Sequence, residues 1–169
     1  MSLRRVTEAT TYPVTASEAM AQCRVDGREE EDLISHYIAV ANEKVGLMAG
    51  LVLGEETWEL TVEDPDGAVT LPVVPVSALV SVNGSTDLSG YTLTVDGDCA
   101  SVTGNWLSGK VVILFKAGGK APLALKQAML LLIGHWMAQR ETTSEEVVAE
   151  IPYAVESLVS DHRRGWFAA

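Results

Sequence analysis

Pro122-Leu123-Ala124-Leu125-Lys126-Gln127-Ala128-Met129-Leu130-Leu131-Leu132-Ile133-Gly134-His135-Trp136-Met137-Ala138-Gln139-Arg140-Glu141 is the stretch on which the fold turns. It is built almost wholly from strong helix formers, and Pro122 suits a first helical position, where no amide donor is needed. A helix on the surface of one domain shows one apolar stripe and a broad polar face; here only Lys126, Gln127, His135, Gln139 and Arg140 bring polarity. Such a helix must be covered on more than one side, by other parts of the chain or by a neighbouring subunit. It is too short and too interrupted for a membrane span, which needs roughly 20 apolar residues.

Working outward, the 169 residues suit one domain, or one domain with an inserted lobe, and can bury a real core. The apolar fraction of 47% with 21% charged residues is that of an ordinary globular protein. The opening Met1-Ser2-Leu3-Arg4-Arg5-Val6-Thr7 lacks the apolar run of a signal peptide, which predicts an intracellular, soluble protein. Cys23 and Cys99 match no metal or redox spacing and read as small buried or half-buried side chains. A net charge of -11 points away from gripping a nucleic-acid backbone, since that affinity comes from Lys and Arg neutralising phosphates. The same charge suits a conduit through which DNA slides without sticking.

Upstream, residues 1–12 read as a polar, flexible arm without a period. Thr15-Ala16-Ser17-Glu18 is a capping box, with Val14 and Ala19 as its hydrophobic staple, opening a helix to about Cys23. After a turn at Arg24-Val25-Asp26-Gly27, the acidic run Glu29-Glu30-Glu31-Asp32 sits in the first turn of a second helix, where the helix dipole favours negative charge. Leu33, Ile34, Tyr37, Ile38, Ala41, Val45 and Met48 give that helix one stripe, and His36 falls off it.

From Thr57 the period changes to two. Trp58, Leu60 and Val62 alternate with Thr57, Glu59, Thr61 and Glu63 as in a strand, closed by the turn Asp64-Pro65-Asp66-Gly67. That tetrad resembles the start of a calcium loop, but the later ligands are missing. Pro72 and Pro75 confine their apolar segment to an extended edge or a crossing loop. Ala78–Val82 before Asn83-Gly84, Tyr91–Val95 before Asp96-Gly97, and Ala100–Val102 give hairpin signals. Lys110–Lys116 reads as a last, mostly buried strand. Beyond the long helix, residues 142–150 form an acidic loop. Pro152, Val155, Leu158 and Val159, with Arg163 and Arg164 in the last turn and Gly165 beyond, mark a final helix. The prediction is an α+β fold: two N-terminal and two C-terminal helices forming a bundle, interrupted by a small, mostly antiparallel β-sheet. A single domain over 13–164, with a β lobe at about 56–116 and a tail at 165–169, is expected.

Nothing in the chain demands catalysis or a cofactor. Gly118-Gly119-Lys120 lacks the spacing of a phosphate loop, and no Gly-x-Ser-x-Gly elbow occurs. His135 reads as a packing histidine. Asp161 and His162 are neighbours in a helix and do not face each other as an acid-base pair would. The tryptophans, Trp136 among them, read as core and interface anchors rather than base-stacking platforms.

Several stretches in order resemble one family. They are Pro13-Val14-Thr15 through Glu18-Ala19 to Arg24-Val25-Asp26; Glu31-Asp32-Leu33-Ile34; Thr57-Trp58-Glu59-Leu60; Leu71-Pro72 with Pro75-Val76; Pro122 with Lys126-Gln127-Ala128; His135-Trp136 through Arg140-Glu141; and Ile151-Pro152-Tyr153-Ala154-Val155 with Leu158. Together they resemble the head-tail connector (adaptor, head-completion) proteins of long-tailed bacteriophages, prophages and gene transfer agents. The family's aromatic and Gly-Arg pair after the second helix is replaced by Gly50-Leu51-Val52-Leu53-Gly54.

The resemblance implies a non-enzymatic structural protein of the virion. It would form a dodecameric ring below the portal protein and present a platform for the next head-completion or tail protein. It would border the DNA channel without binding nucleic acid specifically, have no membrane partner, and pass through the bacterial host cytoplasm during assembly. On that reading, Glu145 and Glu146 are expected near the channel or the portal contact. Trp166 and Phe167, following Gly165, are expected to anchor the chain to the portal or an adjacent subunit, with Arg163 and Arg164 setting the approach and Trp136 a further interface candidate. The alternatives are a phage-encoded DNA-packaging or nucleic-acid-binding accessory protein and, more remotely, a hydrolase using Asp161 and His162.

Overall fold

Alternation along Lys110–Ala117 (β7) sets the centre of the β portion. Val111, Ile113, Phe115 and Ala117 are buried, while Val112, Leu114 and Lys116 between them are half-buried. The computed structural model describes residues 1–25, 27–97, 99–139 and 152–163, the side chain of Arg28 apart. The chain divides into two compact units: Met1–Thr11 with Gly54–Gly119, and Tyr12–Leu53 with the described residues from Lys120 onward. The architecture is α+β.

In the first unit, Ser2–Thr7 (β1), Glu56–Glu63 (β2), β7 and Val76–Val82 (β4) form an antiparallel sheet in the order β1-β2-β7-β4. Leu60 faces Ile113 and Trp58 faces Phe115 across β2 and β7, so apolar positions meet in register. Val69–Leu71 (β3), Cys99–Gly104 (β6) and Tyr91–Asp96 (β5) form a second antiparallel sheet, in the order β3-β6-β5. The segment with Pro72 and Pro75 crosses from one sheet to the other, as two residues without amide donors require.

Three expectations are corrected here. Residues 2–7 are a hydrogen-bonded edge strand, not a flexible arm; the strand buries none of its side chains, so no hydrophobic period betrays it. The Asn83-Gly84 turn closes as an isolated bridge between Val82 and Ser85 but does not go on to join two paired strands. Asn83, at φ 50°, instead holds β4 to β7, its amide donating to the Val112 carbonyl and its Oδ1 accepting from the Val112 amide, both at 2.8 Å. The hairpin at Asp96-Gly97 does form, between β5 and β6. Cys99 on β6 is exposed rather than buried.

The second unit contains Ala16–Cys23 (α1), a 3-10 turn at Arg28–Glu30, Glu31–Ala49 (α2), Leu123–Gln139 (α3) and Tyr153–Ser160 (α4). Its core unites Val14 and Ala19, Ile34, Ile38, Ala41 and Val45 of α2, Leu125, Ala128, Met129, Leu132 and Ile133 of α3, and Val155 and Val159 of α4. Helix α3 touches α1, α2 and α4, and this accounts for its missing polar face. The second helix ends where Gly50 turns left-handed at φ 71° and the Leu51 amide reaches the Gly46 carbonyl at 3.0 Å. A Cβ on Gly46 would stand 2.8 Å from the Leu51 oxygen, so only glycine admits that close return. Among the described residues no helix is long and apolar enough to cross a membrane.

Candidate partner interface

Each polar or open position of the helical unit follows from what its element leaves unsatisfied. At the start of α1 the capping box forms: the Glu18 amide donates to Thr15 Oγ1 at 3.3 Å, and the Thr15 amide donates to Glu18 Oε2 at 3.0 Å. The other carboxylate oxygen receives Lys126 Nζ from α3 at 2.6 Å. The bond from Lys126, then those from the Thr15 amide and hydroxyl, pull the Glu18 carboxyl from its ordinary 4.5 down to about 2. The lysine that interrupts the apolar face of α3 therefore pins α3 to α1.

The sequence-predicted interface residues fall into two groups. Trp136 is half-buried and packs at a tilt on Tyr37 of α2, ring centroids 5.7 Å apart, so it joins two helices of its own unit. Arg163 lies beyond α4, which ends at Ser160 rather than running on through Arg163. Its Nε donates to the Met48 carbonyl in the last turn of α2 at 3.2 Å, where a cation satisfies an otherwise open helix-end acceptor. Glu145, Glu146, Arg164, Trp166 and Phe167 lie outside the described residues.

Other residues offer apolar surface that the sequence reading passed over. On α2, Val40 and Leu47 stand two helical turns apart on one face, Leu47 74% exposed. Leu123 and Tyr153, the first residues of α3 and α4, are 83% and 84% exposed. The signal was present in the sequence: Leu47 falls off the stripe that carries Ile34, Ile38, Ala41 and Val45. In the same unit, a hollow of about 470 Å³ is lined by Gln22, Cys23, Arg24, Glu30, Gly134, Met137 and Ala138, none of them among these exposed residues. Burial, and then the charge of Glu30, push the Cys23 thiol up, which disfavours the thiolate a nucleophile needs. Asp161 caps α4 and is exposed, and the His162 amide closes the helix on the Val159 carbonyl at 3.0 Å. No group of three or more metal-ligating side chains gathers among the described residues.

A chain from the neck of an empty gene transfer agent (GTA) particle, computed with C6 symmetry, superposes with a TM-score of 0.72 at 20% identity, covering 98% of this chain and 96% of that one. The fold is that of a gene transfer agent particle protein. A chain from the virion of a native GTA particle gives a TM-score of 0.73 at 21% identity, and one from the neck of a native particle, computed with C12 symmetry, gives 0.65 at 20%, each with the same coverage. No family model and no curated protein matches the chain. This particle-protein fold thus extends over both units, although four residues in five differ from the GTA chains.

Proposed function

We propose that the protein is a structural, non-enzymatic head-tail connector of a tailed phage or phage-like particle. It forms a ring, dodecameric in the particle, below the portal, and joins the DNA-filled head to the next head-completion or tail protein. The observation that carries this reading is the full-length likeness to chains of symmetric GTA neck assemblies, with 98% of this chain aligned. The connector resemblance read from the sequence agrees with it. Val40, Leu47, Leu123 and Tyr153 supply open apolar side chains that a neighbouring subunit would cover. Trp166 and Phe167 are the proposed tail anchor to the portal or an adjacent subunit, with Arg164 beside them and Glu145 and Glu146 toward the channel or the portal contact. A net charge of -11 suits a wall that DNA passes without being held.

Electron microscopy of the protein mixed with its cognate portal tests the proposal. A symmetric ring seated on the portal is the expected result, together with no shift of random duplex DNA at physiological salt. Failure to join the portal, with submicromolar and steeply salt-dependent DNA binding, would instead mark a nucleic-acid-binding accessory protein.

A further inference from the structure

The edge strand β1 is attached to its sheet in an unusual way. All six of its side chains are exposed, so it contributes nothing to the core of its unit. Besides the backbone ladder to β2, its cross-strand side-chain bonds are ionic: Arg4 Nη2 to Glu59 Oε1 at 3.1 Å and Arg5 Nη1 to Glu56 Oε1 at 3.3 Å. Glu56 is only 8% exposed, and its other oxygen accepts from Trp58 Nε1 at 3.1 Å. With β1 in place, the Trp58 indole and the Arg5 guanidinium together satisfy this carboxylate. The edge of β2 is therefore an acidic receptor fitted to a basic, extended segment.

The covalent path matters equally. Thr7 is paired with Thr57, yet the chain builds α1 and α2 between them. Only residues 8–11 separate the strand from Tyr12, which already packs on the helical core. Thus β1 reaches its sheet by a non-local closure; its ladder and ion pairs would be the same on the β2 of another copy, and only the connector of residues 8–11 favours its own.

We propose that β1 is an exchangeable strand, which pairs with β2 of a second copy of this chain and places Arg4 and Arg5 on that copy's Glu59 and Glu56. The exchanged pairing reproduces the ladder and the ion pairs of the closed one, so its cost is that of association and of the reach of residues 8–11, and an assembly that holds copies side by side lowers both. The inference rests on the β unit alone and goes beyond the connector reading.

Cross-strand cysteines test it in the full-length chain, in a background carrying Cys23→Ala and Cys99→Ser. Ser2 and Thr61 are direct partners, and antiparallel partners lie within disulfide reach. Chains carrying Ser2→Cys are mixed with chains carrying Thr61→Cys, concentrated and oxidised. Exchange predicts a Ser2→Cys–Thr61→Cys heterodimer several-fold above the homodimers, which measure random collision. Adding Arg4→Glu and Arg5→Glu to the first chain should abolish that excess. A chain carrying both cysteines should turn from an internal bond to a ladder of linked chains as concentration rises. The proposal is overturned if heterodimers never exceed homodimers and the double variant closes only internally at every concentration. It is overturned equally if neither bond forms, since β1 would then not occupy β2. None of these outcomes depends on binding to a portal.

Discussion

Arg163 and Met48 lie far apart in sequence, yet the guanidinium Nε donates to the Met48 carbonyl at 3.2 Å. The contact ties the segment after α4 to the end of α2, where Gly50 has already turned the chain away. A residue that in sequence reads as part of a partner-facing basic pair is thereby engaged within its own unit.

Arg163→Ala should destabilise the protein by about 0.5–1 kcal/mol, the scale of a cation at an exposed helix C-terminus. Arg163→Lys should retain part of this, because the charge remains while the planar donor is lost. Urea midpoints of the two variants check the order. If Arg163 served only a partner, neither midpoint would move.

Within α3 the positions separate by burial. Ile133 is fully buried, and Ile133→Ala should cost about 2–5 kcal/mol through the cavity it leaves. Leu131 is half-buried, so Leu131→Ala should cost clearly less. Leu123→Ala, at the exposed start of the helix, should stay within about 0.5 kcal/mol of the parent. Equal losses at all three would contradict the helix orientation.

Glu18 gives a pH signature. Its carboxyl is held at about 2 in the folded protein against an ordinary 4.5, so the folded state binds fewer protons than the unfolded chain between these values. The stabilisation is fully present above pH 4.5 and is lost as pH falls through 2. Glu18→Gln should flatten the acid limb of a stability–pH curve in that window, and Lys126→Met should do so in part. An unchanged acid limb in Glu18→Gln would show that the contact does not persist in solution.

Leu47→Glu should leave the melting temperature nearly unchanged, since the side chain is exposed. On the connector reading it should nevertheless prevent incorporation into particles. Incorporation at the parental level, read by quantitative blotting of purified particles, would remove Leu47 from the interface.

How much was legible in advance depended on whether the cause was local. The capping box at Thr15 and Glu18, the stripe of α2 and the apolar run of β7 are written in residues a few positions apart, and each formed the element read from it. Covering of α3 was also implied by its composition, because a helix without a polar face cannot stand in water. The cover itself, α1, α2 and α4, is a matter of tertiary packing. So is the choice of partner for β4: its turn closes only as the Val82–Ser85 bridge, and the strand it pairs with is β7, with Asn83 bonded to Val112. β1 was invisible because a solvent-exposed edge strand bonded through its backbone leaves no hydrophobic period. The roles of Lys126 and Arg163 were equally hidden, for each is fixed by an oxygen, of Glu18 or of Met48, that only the folded chain brings within hydrogen-bond distance.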